Sequence, residues 1–226
     1  MKILKALSSV LFPAQCPVCG RILVKGEGPF CTACLYDIPW THPEYPSDND
    51  LLEKIPAGIR PSRIFSLFHY HTGSETKNLF YAIKYHNRPG LARKIGEILG
   101  NHIREELHGD MIIPVPLHKK RLKERGYNQA AEIAEGISSV TGIPVYGNIL
   151  SRNRYTFTQT DKDMINRYLD MDNAFQAESL EKIRGKRVII VDDIITTGST
   201  VMSCLKAIQG GGAKEFILVC IARTSL

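Results

Sequence analysis

The sequence predicts an α/β fold: a doubly wound, mostly parallel sheet with a small cysteine-bearing module on its amino-terminal side. Three observations predict it. From Arg63 onward, strand-like and helix-like patterns alternate, as they do when parallel strands are joined by helical crossovers. Arg187–Val191 and Phe216–Ile221 are almost wholly aliphatic, the pattern of strands covered on both faces. Four of the six cysteines stand before Tyr45, in two closely spaced pairs.

The elements follow in order. Ile3, Leu4, Leu7, Val10 and Leu11 fall on one face of a short amphipathic helix. Thr41–Pro61 is rich in Pro, Asp and Asn and reads as linker. Arg63–Tyr70 is strand-like and Ser74–Tyr85 helical. Leu91, Ile95, Ile98, Leu99, Ile103 and Leu107 keep helical spacing in a segment ending near His108-Gly109. Met111–Pro116 is a short buried strand stopped by proline. Gln129–Val140 is a helix with Ile133, Ala134, Ile137 and Val140 inward, closed by Thr141-Gly142. Ile143–Tyr146 reads as another short strand, and Ser199–Gln209 as a helix ended by Gly210-Gly211-Gly212. The expected division is 1–45 for the helix and cysteine module, 46–62 for the linker and 63–226 for the α/β domain.

Composition sets the bounds. A chain of 226 residues, 43% hydrophobic, holds one medium domain and an appendage. Twenty-nine Lys and Arg against 23 Asp and Glu leave a charge of +6, which suits an anionic ligand without requiring one. No apolar run approaches the roughly 18 residues of a transmembrane helix. The first residues lack a small-x-small cleavage site, so a cytoplasmic protein is expected.

Val188–Thr200 carries the chemistry. An aliphatic strand runs into Asp192-Asp193, two further aliphatics, and then Thr196-Thr197-Gly198-Ser199-Thr200 at a helix start. Ligands of doubly wound sheets bind beyond the carboxyl ends of the strands. Backbone amides at a helix amino terminus favour an anion, and Gly198 admits close backbone approach. With hydroxyls from Thr197, Ser199 and Thr200, the natural occupant is a phosphate monoester. Asp192 and Asp193 then lie where an attached sugar would sit, able to accept hydrogen bonds from vicinal hydroxyls and biased toward a magnesium complex. No Gly-x4-Gly-Lys-Ser/Thr and no Gly-x-Gly-x-x-Gly occurs, so neither a P-loop nor a dinucleotide fingerprint is present.

Two other stretches bear on the site. Pro114-Val115-Pro116 opens into a loop with five Lys or Arg among the eight residues Lys119–Gly126. Lys119, Lys120 and Arg121 leave a strand end in the same sheet, placed to hold a pyrophosphate leaving group. A solvated basic turn or a nucleic-acid patch is the alternative. Arg152–Gln159, followed by Arg167, has weak periodicity and many donors; Arg152, Arg154 and Gln159 suit a mobile lid that excludes water, against a plain surface loop.

Cys16-x2-Cys19-x11-Cys31-x2-Cys34 offers four thiolates from two tight knuckles, the donor set of a closed structural zinc site. A disulfide pair is the alternative. Cys204 and Cys220 lie on apolar faces and read as core; His42, His69 and His71 are left out of the ligand set.

Val188–Thr200 resembles the signature by which type I phosphoribosyltransferases bind phosphoribosyl pyrophosphate (PRPP). The order Pro114-Val115-Pro116, Arg125-Gly126-Tyr127-Asn128-Gln129, Arg152-x-Arg154-x-Thr156-x-x-Gln159 and Val191-Asp192-Asp193-x-x-Thr196-Thr197-Gly198 is similar to the ComF (ComFC, GntX-like) family. The likeness covers essentially the whole chain, including the cysteines and Ile83-Lys84-Tyr85. It implies a type I phosphoribosyltransferase-like domain, binding of PRPP and Mg2+, and a role in DNA uptake during natural transformation. It implies a pentosyl-transferring enzyme whose acceptor the motifs do not name. The phosphoribosyltransferase half is also similar to that part of amidophosphoribosyltransferase, although glutamine-dependent amine transfer is not expected without a glutaminase domain. The rival expectation is a non-catalytic module that senses PRPP and works by binding single-stranded DNA or competence proteins, using the cysteine module, Lys119–Arg125 and Tyr127.

Overall fold

Two aliphatic strands, β5 (Arg187–Ile195) and β6 (Glu215–Thr224), form the middle of a four-stranded sheet. β1 (Arg63–Tyr70) pairs on the outer side of β6, and β2 (Met111–Pro114) on the outer side of β5. The order is β1-β6-β5-β2 with every pair parallel, so all four strands end on the same edge. The computed structural model describes residues 13–41, 52, 59–71, 73–153 and 174–224. The predicted amphipathic helix, most of the linker, and Arg154, Gln159 and Arg167 lie outside the described residues.

Alternation along the strands divides the core between two faces. Ile189 and Val191 of β5, with Ile112, Ile217 and Val219, pack with α2 (Lys77–Tyr85), α3 (Pro89–Ile103) and α5 (Gln129–Thr141). Val188 and Ile190, with Met111, Ile113, Leu218 and Cys220, face α6 (Ser199–Ile208). Helices on both faces are what near-continuous aliphatic strands require. α3 and α5 touch through their glycines: a Cβ on Gly96 would stand 2.2 Å from the Ile133 carbonyl oxygen, and one on Gly136 2.1 Å from that of Arg93. A two-stranded antiparallel ribbon, β3 (Leu150–Arg152) with β4 (Phe175–Ala177), lies over the α6 side of the core.

Four expectations are adjusted. Lys119–Arg125 is not a loop but a helix, α4, capped by His118 Nδ1 accepting from the Lys120 amide at 3.2 Å and stopped by Gly126 at φ 79°. Lys, Arg, Leu and Glu are strong helix formers, and the charge run hid that. Ile143–Tyr146 makes a single parallel bridge, Val145 with Ile112, because Gly142 in the left-handed region and Pro144 leave too little regular backbone for a strand. Arg152 belongs to β3 rather than to a loop. β5 runs four residues past Val191, which puts both aspartates on the strand itself.

The cysteine module, which carries α1 (Thr32–Asp37), is joined to the sheet. Trp40 bridges Phe68 of β1 in antiparallel fashion, and the His69 amide donates to the Pro39 carbonyl at 2.9 Å. Cys16, Val18, Phe30, Cys31 and Cys34 are buried in the same apolar cluster as Phe68, Leu79, Phe80 and Ile83.

Candidate functional site

At the carboxyl edge of β5, Asp192 pairs in register with Cys220, and as strand neighbours Asp192 and Asp193 point to opposite faces of the sheet. Asp193, on the α2 face, is 8% exposed, and its Oδ2 lies 2.9 Å from Lys84 Nζ. Asp192, on the α6 face, is half-buried and within electrostatic reach of Lys84 and Arg152. Burial and the adjacent Asp193 charge push its carboxyl up to about 7, against the pull of the Asp193 amide and the two cations. Each carboxylate also accepts from the next amide along the chain, Asp192 Oδ1 from Asp193 and Asp193 Oδ1 from Ile194, both at 2.8 Å. Those bonds hold the two side chains in place at the strand end.

The turn after β5 is built to leave amides open. Thr196 and Thr197 are exposed, and Gly198 takes φ 73°, a conformation that costs other residues. Within α6 the Met202 amide donates to the Gly198 carbonyl at 2.9 Å, so the amides between them precede the first helical bond. Thr224 Oγ1, at the end of β6, donates to the Thr196 carbonyl at 3.1 Å and ties down the start of the turn. Ser199 Oγ and Thr197 Oγ1 stand 3.1 Å apart. The loop Thr196–Thr200 therefore combines amides, hydroxyls and a helix dipole, all favouring an anion.

β2 brings the basic helix beside it. Pro114 pairs with Val191, and the Val115 amide donates to the Val191 carbonyl at 2.9 Å. α4, carrying Lys119, Lys120 and Arg121, leaves that same strand end, and the Arg121 charge is felt at Arg152. Arg152 itself is half-buried, which with the Arg121 charge lowers its pKa, and its guanidinium lies 5.1 Å from the Phe175 ring centroid. The carboxylates, the hydroxyl turn and the cations thus converge on one edge. The described residues do not reach Arg154 or Gln159. A cleft of about 240 Å3 lined by Arg104, His108, Thr141 and Arg187 lies at the opposite end of β5, away from these groups.

Arg125-Gly126-Tyr127-Asn128-Gln129 is a structural joint. Tyr127 is 8% exposed and its hydroxyl donates to the Ile83 carbonyl at 2.5 Å. Asn128 caps α5 by accepting from the Ala130 amide at 3.1 Å, while its Nδ2 donates to the Val115 carbonyl at 3.0 Å. Arg125 Nη1 donates to Gln129 Oε1 at 2.8 Å. Tyr127 therefore has no free ring face for a nucleotide base. Sequence reasoning missed two cations. Lys84 was legible only as part of Ile83-Lys84-Tyr85, and Arg223, at the end of β6 and 7% exposed, only as a charge in an aliphatic strand; burial lowers its pKa to about 10.

The four thiols of Cys16, Cys19, Cys31 and Cys34 lie within 4.8 Å of one another, with Cys19 and Cys31 Sγ 3.6 Å apart. A tetrahedron with metal–sulfur bonds of about 2.3 Å has edges of about 3.8 Å, so the set fits one zinc ion. Burial opposes ionisation of Cys16, yet the amides of Cys19, Cys31 and Val18 outweigh it and bring the thiol down to about 7; burial pushes Cys34 up. Gly20 at φ 75° turns the first knuckle, and the Glu27 carboxylate, accepting from the Thr32 and Val24 amides at 2.8 Å each, closes the loop to the second. Cys204 and Cys220 are fully buried core residues. Among the described residues the carboxyl edge of β5 offers two carboxylates, Asp192 and Asp193, so a magnesium ion there would need most of its ligands from a bound ligand. Among the described residues no helix is long and apolar enough to cross a membrane.

Comparison with known proteins finds relatives for both parts of the chain. The phosphoribosyl transferase domain model matches residues 83–225, and the double zinc ribbon domain model residues 7–45. Competence protein F of Haemophilus influenzae is 33% identical over 152 residues, 64% of this chain and 66% of that protein. DNA utilization protein YhgH of Shigella flexneri is 28% identical over 218 residues, 92% of this chain and 90% of that protein. Among solved structures, the glutamine phosphoribosylpyrophosphate amidotransferase of B. subtilis gives a TM-score of 0.42 at 23% identity, over 62% of this chain and 30% of that one. The chain belongs to the phosphoribosyl transferase domain family, as a ComF-type member that carries a zinc ribbon ahead of the domain.

Proposed function

We propose that the carboxyl edge of the sheet binds PRPP with magnesium and that the protein is a phosphoribosyltransferase acting where the cell handles incoming DNA. One observation carries the reading: Asp192 and Asp193 end β5 immediately before an amide- and hydroxyl-rich helix start, beside the strand end that bears α4. In this reading Thr196–Thr200 receive the 5′-phosphate and the two aspartates accept from the ribose hydroxyls. Lys84 holds Asp193 in place. Lys119, Lys120 and Arg121 stabilise charge on pyrophosphate as the C1–O bond breaks, while the acceptor forms the new bond at C1 and gives up its proton. Magnesium would neutralise the diphosphate on entry and favour its departure. Arg152, with Arg154 and Gln159, would exclude water from the cationic sugar. The relatives named for competence and DNA utilization support the DNA-handling context, and a cytoplasmic setting follows from that context.

Calorimetry with PRPP and Mg2+ tests the reading. Binding is expected in the wild-type protein and its loss in Asp192→Ala/Asp193→Ala; unchanged affinity in that variant refutes it. Pyrophosphate release screened against a panel of bases and amines would identify the acceptor.

A second reading, direct binding of single-stranded DNA, is favoured by one surface. Tyr81 and Tyr85, 57% and 63% exposed, have ring centroids 4.9 Å apart, and the Arg125 guanidinium lies 5.8 Å from the Tyr85 centroid. Stacking faces beside a basic helix suit a single strand. Salt-dependent DNA binding that Tyr81→Ala/Tyr85→Ala weakens, with no pyrophosphate release, would support it over the enzyme.

A further inference from the structure

The zinc module and a sugar-side carboxylate are held by the two ends of one short helix. We propose that the cysteine module positions Lys84, and through it Asp193, by way of Asn78 on α2, so that metal occupancy in the module sets affinity at the phosphoribosyl site. The inference rests on the phosphoribosyl reading of that site.

At one end of α2, Asn78 Nδ2 donates to the Val18 carbonyl at 2.8 Å, and Val18 lies between the two cysteines of the first knuckle. At the other end, Lys84 Nζ meets Asp193 Oδ2 at 2.9 Å and the Ile83 carbonyl accepts the Tyr127 hydroxyl. Six residues of helix separate the two attachments, about 9 Å of rise. The inner face of α2, with Leu79, Phe80 and Ile83, is buried in one apolar cluster with Cys16, Val18, Phe30, Cys31 and Cys34. A helix of nine residues is marginal alone, so its order depends on what covers it. A four-cysteine knuckle in turn takes its folding energy from its ion. Losing the ion loosens the Val18 carbonyl and the apolar cover over the first turn of α2. Lys84 then no longer stands opposite Asp193, and a nearly buried carboxylate is left without its counter-charge. Lys84 is thus a positioning residue for Asp193, and Asn78 the link that brings the module to bear on it. Coupling of this kind is reciprocal: ligand at the sheet edge should slow release of zinc from the module.

The test uses the full chain loaded with zinc. Hydrogen exchange across Lys77–Tyr85 is measured before and after removal of zinc with a zinc-selective chelator, and the rate of zinc release is followed with and without saturating Mg–PRPP. Affinity for Mg–PRPP is compared between wild type and Asn78→Ala, which keeps all four cysteines. Expected are a rise in α2 exchange of roughly tenfold on zinc removal, a weakening of Mg–PRPP binding of about fivefold in Asn78→Ala, and slower zinc release when Mg–PRPP is bound. Unchanged α2 exchange, or an Asn78→Ala protein that binds as wild type does, overturns the coupling. If the zinc-free protein unfolds throughout, zinc-loaded Asn78→Ala decides. If the wild-type protein binds no Mg–PRPP, the phosphoribosyl reading fails separately and the exchange measurement alone decides the coupling.

Discussion

Asp192→Asn is expected to make the unliganded protein more stable at pH 8 and less able to bind Mg–PRPP. In the fold the carboxyl rises from 3.8 to about 7, a shift of about 3. At 1.36 kcal/mol for each pH unit, the ceiling is about 4 kcal/mol. Asp192 is only half-buried and its surroundings relax around a charge, which reduces the effect to about 2 kcal/mol. The folded value lies above the unfolded one. The favourable contribution of the protonated group is therefore full below pH 3.8 and is lost as the pH rises through about 7. Asparagine does not titrate, so the variant should gain on the wild type steadily across that window and hold its advantage above it. Urea unfolding of both proteins at a series of pH values measures this, because titrating groups distant from Asp192 cancel in the difference. A difference that stays flat with pH, or a variant less stable at pH 8, refutes the reasoning. Over the same window wild-type affinity for Mg–PRPP should rise with pH as the carboxylate forms, and the variant should lose that dependence.

Two further outcomes follow from the joints that hold the site. Tyr127→Phe removes the hydroxyl that meets the Ile83 carbonyl and should cost about 1 kcal/mol in chemical denaturation; it should also delete from the ultraviolet titration the phenol that burial pushes up to about 12. Gly136→Ala places a Cβ 2.1 Å from the Arg93 carbonyl oxygen and 2.8 Å from the Glu97 amide, forcing α3 and α5 apart. Overpacking outweighs the gain in helix propensity, for a net loss of about 2 kcal/mol read by urea unfolding.

The legible parts of this protein are those whose physics is local. β1 spans the predicted residues, and β5, β6 and α6 were visible as aliphatic runs and helical spacing. The turn Thr196–Thr200 was visible because a glycine among hydroxyls at a helix start has a chemical meaning of its own. The four cysteines were visible for the same reason, each pair close enough in sequence to meet one ion. The charge run Lys119–Arg125 shows where local reading went astray: its composition drew attention to function and away from its helix propensity.

Chain chemistry alone was enough to specify the alternating fold, the hydroxyl- and glycine-bearing turn with its acidic pair, and the thiol cluster, since each depends on neighbours a few residues apart. Packing between distant segments decided the rest. It kept β5 extended through both aspartates by pairing it with β6, brought Lys84 to one of them across 109 residues of chain, and buried Tyr127 against α2 rather than offering it to solvent. It also seated the zinc module on the helix that carries Lys84. Those contacts join residues far apart in the chain, so no local periodicity or propensity records them; they exist only once the sheet has set its strand ends side by side.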